Sequence, residues 1–335
     1  MITLLRRFLP LGMLACAGLA VAQPVTLKFA SFEPPQAPFT ARVFTAWAQD
    51  VTQASNGALK IEMYAGGTLG RNPLQQFKLV QDGVADMAWT VPGYTPGRFD
   101  DTEVVELPFI TRNAAEASLA LTRLAARNEL VGFADLKLLL IGAVPPVSLH
   151  AKTPLKALAD LKGKRMRVGS SIGGRIAEAL GMTPVIIGAP NTAEAIAKGV
   201  VDGTLAEWNF VGTFKIDEVA PHHLAVPLGG TAVMVPMLKS RYDALPPAAR
   251  AALDRYSGEA FAKRFGEMAD ALNNGTMERV AKQPRNTVTR ADAATAEEFR
   301  KAVDGVTAAW RAQKPRNEHV YKVLQAELAR IRGGK

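Results

Sequence analysis

The chain has 335 residues, with 40 Lys and Arg against 31 Asp and Glu, four His and one Cys, and it is 48% hydrophobic and 21% charged. Such fractions exclude a disordered chain, a collagen-like chain and a polytopic membrane protein, and at about 150 residues per domain they imply two domains. The lone cysteine excludes a disulfide framework and a zinc site built mainly of thiolates.

Arg6 and Arg7 precede an apolar run over residues 8–20 that ends in Ala20-Val21-Ala22. A basic start, an apolar stretch too short to span a bilayer and a small-x-small end predict a signal peptide over residues 1–22, cleaved near Ala22. Cys16 leaves with it, so the expected mature protein is exported and free of thiols.

Residues 25–31 alternate apolar and polar positions and predict a strand. Phe39, Val43, Trp47 and Val51 fall at helical spacing over 39–54, and Asn56-Gly57 supplies a stop. A strand over 59–64, a glycine loop over 66–70, a helix over 73–81 and a strand over 84–91 follow. This β-α-β-α-β order marks an open, largely parallel sheet. It recurs as a strand over 165–168, a helix over 172–180, a strand over 184–187, a helix over 192–198 and a strand over 200–208. Gly83-Val84-Ala85-Asp86 in the first half returns as Gly199-Val200-Val201-Asp202 in the second, which points to two similar α/β units. Residues 224–236 are apolar, and from Pro246 the chain reads as helix over 248–271, 293–312 and 318–331, with an interruption at Pro284. No Gly/Ser or Pro run separates the units.

The formal charge of +9 does not point to nucleic acid. The densest basic cluster, Lys162 to Arg167, leads at once into small and apolar residues, and no zinc finger, RNP-like strand or continuous basic helix is present. A dispersed positive field favours small anions instead. In open parallel sheets ligands lie beyond the C-terminal strand ends. Those ends place Phe32, Trp89, Tyr94, Arg167, Ser170, Glu207 and Trp208 around one cleft between the units, with His150 near the crossing between them. Arg167 is the strongest candidate: a guanidinium binds a carboxylate bidentately, and Gly169-Ser170-Ser171 leads into a helix start whose free N–H groups favour negative charge.

Gly169-Ser170-Ser171-Ile172-Gly173 also fits Gly-x-Ser-x-Gly between a strand and a helix, so the enzyme alternative is a serine hydrolase using Ser171. Asp217 or Asp243 with His222, His223 or His319 would complete its triad. Against it, the preceding strand reads Lys164-Arg165-Met166-Arg167-Val168 rather than a buried apolar run, and no HGGG-type loop follows an early strand. Adjacent His222 and His223 point apart, and Glu207 is the only carboxylate placed in the cleft. Neither a metal site nor a cofactor is expected.

The run Asp160-Leu161-Lys162-Gly163-Lys164-Arg165-Met166-Arg167-Val168, then Leu180-Gly181-Met182-Thr183-Pro184-Val185 and Gly199-Val200-Val201-Asp202-Gly203, resembles the DctP-type periplasmic solute-binding proteins of tripartite ATP-independent (TRAP) transporters. Gly66-Gly67-Thr68-Leu69-Gly70, Asp82 to Met87 and Glu106-Leu107-Pro108-Phe109 extend the match over most of the mature chain. The resemblance implies a two-lobed α/β fold, each lobe an open mostly parallel sheet, with a ligand cleft between lobes and a long bracing helix. Its expected division is lobe I over 23–147, lobe II over 148–228, a return to lobe I over 229–272, and C-terminal helices on both lobes over 273–335. It further implies a periplasmic receptor without catalysis, a carboxylate-binding role for Arg167, and an ion-driven membrane permease as partner. Dicarboxylate and sialic-acid members often carry a second arginine where this chain reads Gly142 to His150 without one. That departure favours a small monocarboxylate: a keto, hydroxy or aromatic acid, walled by Phe32, Trp89 and Trp208, with His150, Ser170 or Tyr94 bonding a keto or hydroxyl group. The pair Glu207-Trp208 resembles that of keto-acid-binding members that use a metal, but the other residues of that metal site do not line up.

Overall fold

A computed structural model describes residues 23–334. The expected signal peptide, residues 1–22, lies outside the described residues. In chain order the strands are β1 (Val25–Ala30), β2 (Leu59–Tyr64), β3 (Met87–Ala88), β4 (Leu136–Val144), β5 (Ser148–Ala151), β6 (Arg165–Val168), β7 (Thr183–Ile186), β8 (Gly203–Ala206), β9 (His222–Ala225), β10 (Thr231–Leu238) and β11 (Thr287–Arg290). The α-helices are α1 (Thr45–Ala54), α2 (Gln76–Gln81), α3 (Ala114–Ala126), α4 (Ser171–Ala179), α5 (Thr192–Ala197), α6 (Trp208–Thr213), α7 (Lys239–Asp243), α8 (Pro247–Arg255), α9 (Glu259–Ala281), α10 (Ala293–Gln313) and α11 (Pro315–Arg332).

The strands form two sheets, ordered β2-β1-β3-β10-β4 and β11-β9-β5-β8-β6-β7. Each contains one reversed strand. β10 pairs antiparallel with both β3 and β4, and β5 pairs antiparallel with both β8 and β9. The reason is topological. β4 runs out of the first sheet and, after three residues, enters the second as β5. β9 returns the same way to become β10. A strand entering a sheet from the side where its neighbours end must oppose them, so both reversals mark chain crossings. The remaining strand ends of the two sheets therefore face each other across one cleft.

The repeated Gly-Val-x-Asp unit has the same job in each half. Gly83 and Gly199 take φ of +70° and +71°, which ends their helices. Asp86 then accepts from Lys28 N on β1 at 2.7 Å, and its own N–H reaches Lys28 O at 3.0 Å. Asp202 does likewise with Arg165 on β6, at 2.8 and 2.7 Å. Each aspartate locks a helix exit onto the neighbouring parallel strand.

Helix α9 joins the two sheets. Near its start, Phe261 stacks on Trp47 at 5.0 Å and Phe265 meets Phe39, Phe44 and Trp89. Asp270 accepts from Ala114 N and Ala115 N, the free donors at the start of α3. Further along, Asn273 accepts from Trp208 N at the start of α6 at 2.7 Å, and Val280 is buried in the second unit's core. The sequence reading merged α8 with α9 and stopped at residue 271. Gly258, at φ +62°, breaks them apart, and α9 continues to Ala281. Strand β11 was absent from that reading because Thr287–Arg290 is a short edge strand with exposed ends and weak alternation.

The close crossing of α9 on α3 depends on Gly266, where a Cβ would stand 2.6 Å from Ala115 Cα. Gly266→Ala should therefore destabilise the protein by about 1–3 kcal/mol, the usual range for overpacking against backbone. The urea midpoint checks this. A midpoint unchanged or raised would show that the two helices can separate freely.

Candidate functional site

A cavity lies between the facing strand ends, walled by side chains of both units. The first unit contributes Phe32, Glu33, Trp89 and Tyr94; the second contributes Arg167, Ser170, Glu207 and Phe210. Gly229 and Gly230 line it where the chain returns. Gly229 has φ +157°, and a Cβ there would meet Glu106 O at 2.3 Å, so the crossing lies tight against the site.

Arg167 is the third residue of β6, and its side chain is almost wholly enclosed, at 4% exposure. Nε donates to Ile187 O at 2.8 Å, and the guanidinium carbon lies 4.8 Å over the Phe210 ring. Gly169 leaves open the space beside the guanidinium nitrogens, which a Cβ would approach to 3.4 Å. Burial pulls the guanidinium pKa down, and hydrogen bonding and charge from Tyr94 oppose that. Among the described residues no carboxylate forms an ion pair with Arg167. A buried, cation–π-supported guanidinium with free nitrogens toward a cavity suits an incoming carboxylate. Tyr94 is half-buried; loss of water raises its phenol pKa, and Arg167 works the other way.

Ser170 caps α4 by accepting from Gly173 N at 3.1 Å. Three carboxyls also line the cavity, and desolvation dominates each. Glu33 is pushed up to about 7, with hydrogen bonds from Trp89 and Thr40 opposing. Glu106 is pushed up to about 7, opposed by Ser170 and the Ala232 N–H. Glu207 is pushed up to about 8, opposed by the N–H groups of Phe210 and Asn209. Glu33 and Glu106 were missed in the sequence, although Glu33 directly follows Phe32 and Glu106 opens the Glu-Leu-Pro-Phe run.

The structure brings Phe32, Trp89, Tyr94, Arg167, Ser170 and Glu207 together at the cavity, but not His150 or Trp208. β5 enters its sheet from the cleft, so His150 sits two residues inside, opposite Thr204 and His223. It is fully buried, with Nε2 donating to Ala206 O at 3.1 Å and Nδ1 2.8 Å from His223 Nδ1. The Ala206 carbonyl can only accept, so His150 Nε2 carries a proton, and His223 Nε2 lies 3.1 Å from Asn286 Oδ1. Trp208 packs edge-on against His150, because Glu207 takes the cavity side and the next side chain turns away. Ser171 is exposed and bonded to Glu103, outside the cavity lining. None of the nominated histidines bonds to it: His223 pairs with His150, and His319 with Glu129.

Residues 29–313 match the DctP family model, described as bacterial extracellular solute-binding protein, family 7. A marine-metagenome TRAP solute-binding protein specific for aromatic acids, solved with 3-hydroxybenzoate, is 30% identical; the alignment covers 92% of this chain and 99% of that one, with a TM-score of 0.86. A TRAP solute-binding protein from Rhodoferax ferrireducens, solved with copurified benzoate, is also 30% identical, covering 91% and 98% at a TM-score of 0.86. The C4-dicarboxylate-binding periplasmic protein DctP of Rhodobacter capsulatus is 28% identical over 73% of this chain and 74% of its own.

The histidine pair makes a pH prediction. Burial lowers His150 well below its usual value and lowers His223 to about 4. The unfolded chain then binds more protons than the folded one between about pH 6.5 and 4, so the pair's stability is present above pH 6.5 and lost as pH falls through 4. The buried carboxyls act oppositely, losing stability as pH rises from about 4.5 through 7 to 8. Urea midpoints of wild type and His223→Gln across pH 6.5 to 4 isolate the first effect. Wild type should lose on the order of 2–3 kcal/mol more than the variant over that window. Parallel curves would sink the assignment.

Proposed function

Because the chain belongs to the DctP family of bacterial extracellular solute-binding proteins, we propose that it captures a small aromatic monocarboxylate in the periplasm and delivers it to a TRAP-type membrane permease. Members of this family are periplasmic receptors without catalytic activity, and this chain is a receptor, not a hydrolase. The observation that carries the ligand class is Arg167, buried at the cavity wall without a protein carboxylate beside it. Among the described residues it is the only Lys or Arg lining the cavity, which fits one ligand carboxylate rather than two. Phe32, Trp89 and Phe210 supply flat apolar walls, and the two 30%-identical relatives hold 3-hydroxybenzoate and benzoate.

In this reading Arg167 binds the carboxylate, Tyr94 and Ser170 flank it, and Phe32 and Trp89 pack on the ring. His150 and Trp208 act indirectly, as the buried support beneath Glu207. The lobes are 23–147 with 229–272, and 148–228, braced by the C-terminal helices over 273–335. They close about the crossings 145–147 and 226–230.

Titration calorimetry of ligand-free protein with benzoate and with malate tests the reading. Benzoate should bind and malate should not. Arg167→Ala should weaken benzoate by at least about 30-fold, because truncating one partner of a buried charge pair costs about 2–5 kcal/mol. Arg167→Lys should recover part of the loss, since an ammonium keeps the charge but not the fork. An affinity within threefold of wild type in Arg167→Ala would remove Arg167 from the site, and tight malate binding would overturn the monocarboxylate.

A further inference from the structure

A ligand consisting of a carboxylate on an apolar ring leaves part of this cavity unexplained. Glu33 and Glu207 are 5% and 6% exposed, and both line the cavity from opposite units. One oxygen of each is engaged: Glu33 Oε1 accepts from Trp89 Nε1 at 3.2 Å, and Glu207 Oε1 accepts from Phe210 N at 2.7 Å. The second oxygen of each is buried and has no partner in the protein. The two are close enough for the charge of Glu33 to raise Glu207 further. Neither forms an ion pair with Arg167, so they make a polar group separate from the guanidinium.

We propose that Glu33 and Glu207 form a second polar subsite that takes a neutral hydroxyl on the ligand ring, so that the preferred solute is a hydroxylated aromatic carboxylic acid. This rests on the monocarboxylate reading above. A buried polar oxygen left without a partner is costly, and a group that satisfies it recovers that cost on binding. A hydroxyl both donates and accepts, so it can pair with each of two carboxyls that burial pushes up to about 7 and about 8, whichever of them holds its proton. A ligand ammonium would instead need both carboxyls ionised in a dry site. The third buried carboxyl, Glu106, also keeps one buried oxygen without a partner; its Oε1 accepts from Ala232 N at 3.1 Å, and it lies beside Ser170 near Arg167. It belongs to the carboxylate end of the cavity.

The experiment compares the affinity of benzoate with those of 2-, 3- and 4-hydroxybenzoate and 3-aminomethylbenzoate, in wild type, Glu33→Ala and Glu207→Ala. Its readout is the ratio of affinities within each protein. General damage to the cavity, including loss of the α6 cap in Glu207→Ala, weakens all of these acids and leaves the ratio alone. In wild type at least one hydroxybenzoate should bind about tenfold or more tighter than benzoate, and both variants should bring that ratio to within about twofold of one. Glu207→Gln, which keeps a hydrogen-bonding group in the same volume, should retain most of the preference. A wild-type ratio near one, or a preference that survives in both alanine variants, overturns the subsite while benzoate binding leaves the receptor reading intact. Tighter binding of the aminomethyl acid overturns it in favour of a cation subsite. If no acid binds, the monocarboxylate reading fails and takes the subsite with it.

Discussion

An arginine buried at the end of β6 without a carboxylate beside it sets the terms for the rest of the molecule. Removing an ionised group from water costs several kcal/mol even after relaxation. The fold offsets part of this locally: a backbone carbonyl takes Nε, the Phe210 face lies under the guanidinium, and Tyr94 hydrogen-bonds to it. None of these neutralises the charge. A protein that kept such a group only for stability would do better with an apolar residue of similar volume. The arrangement makes sense when a carboxylate arrives from outside, because its free energy of binding then includes relief of that unpaired charge.

The topology follows from the same need. Arg167 sits in one unit and Tyr94 and Glu33 in the other, so the site exists only where two sheets point their strand ends at one another. Two separate α/β units joined by a flexible linker would not hold that geometry. Here the chain crosses twice as strands that run on from sheet to sheet and once as α9, and it returns from α10 on the second unit to α11 on the first. The reversed strands β5 and β10 are the direct consequence. The crossings are short, and Gly229 lies tight against Glu106 O, which fixes the approach of the two units.

Much of this was legible in the sequence, for reasons that can be named. The Gly-Val-x-Asp repeat was visible because a left-handed glycine and a backbone-clamping aspartate are each demanding requirements, and both recur. Arg167 stood out because a charge at a strand end before Gly-Ser-Ser has few structural uses, and the structure places it in the cavity wall. His150 and Trp208 were misplaced for a shared reason. Proximity along the chain to a crossing does not say on which side of it a side chain points, and the reversal of β5 carries His150 away from the cleft. Glu33 and Glu106 were missed because an isolated acid beside a strand or in a short 3₁₀ turn carries no periodic signal. Phe210 was missed because a six-residue helix is too short for its face to be read.

The Gly-x-Ser-x-Gly turn shows how one local geometry serves two ends. A nucleophile elbow exposes its serine on a strained turn and brings a histidine to it. Here the same strand-turn-helix step points its two serines to other work. Ser170 accepts from Gly173 N, while Ser171 donates to Glu103, whose other oxygen takes Trp310 Nε1 at 2.8 Å. Glu103 and Glu106 lie on one 3₁₀ segment, Asp100–Glu106, of the first unit. The turn therefore clasps the start of α4 to the opposite unit on the rim of the cavity, and α10 joins the same clasp through Trp310. No histidine reaches either hydroxyl among the described residues, so the turn serves packing between the units. The Ser171 hydroxyl thus ties the start of α4 to the 3₁₀ segment of the first unit through one hydrogen bond to a carboxylate.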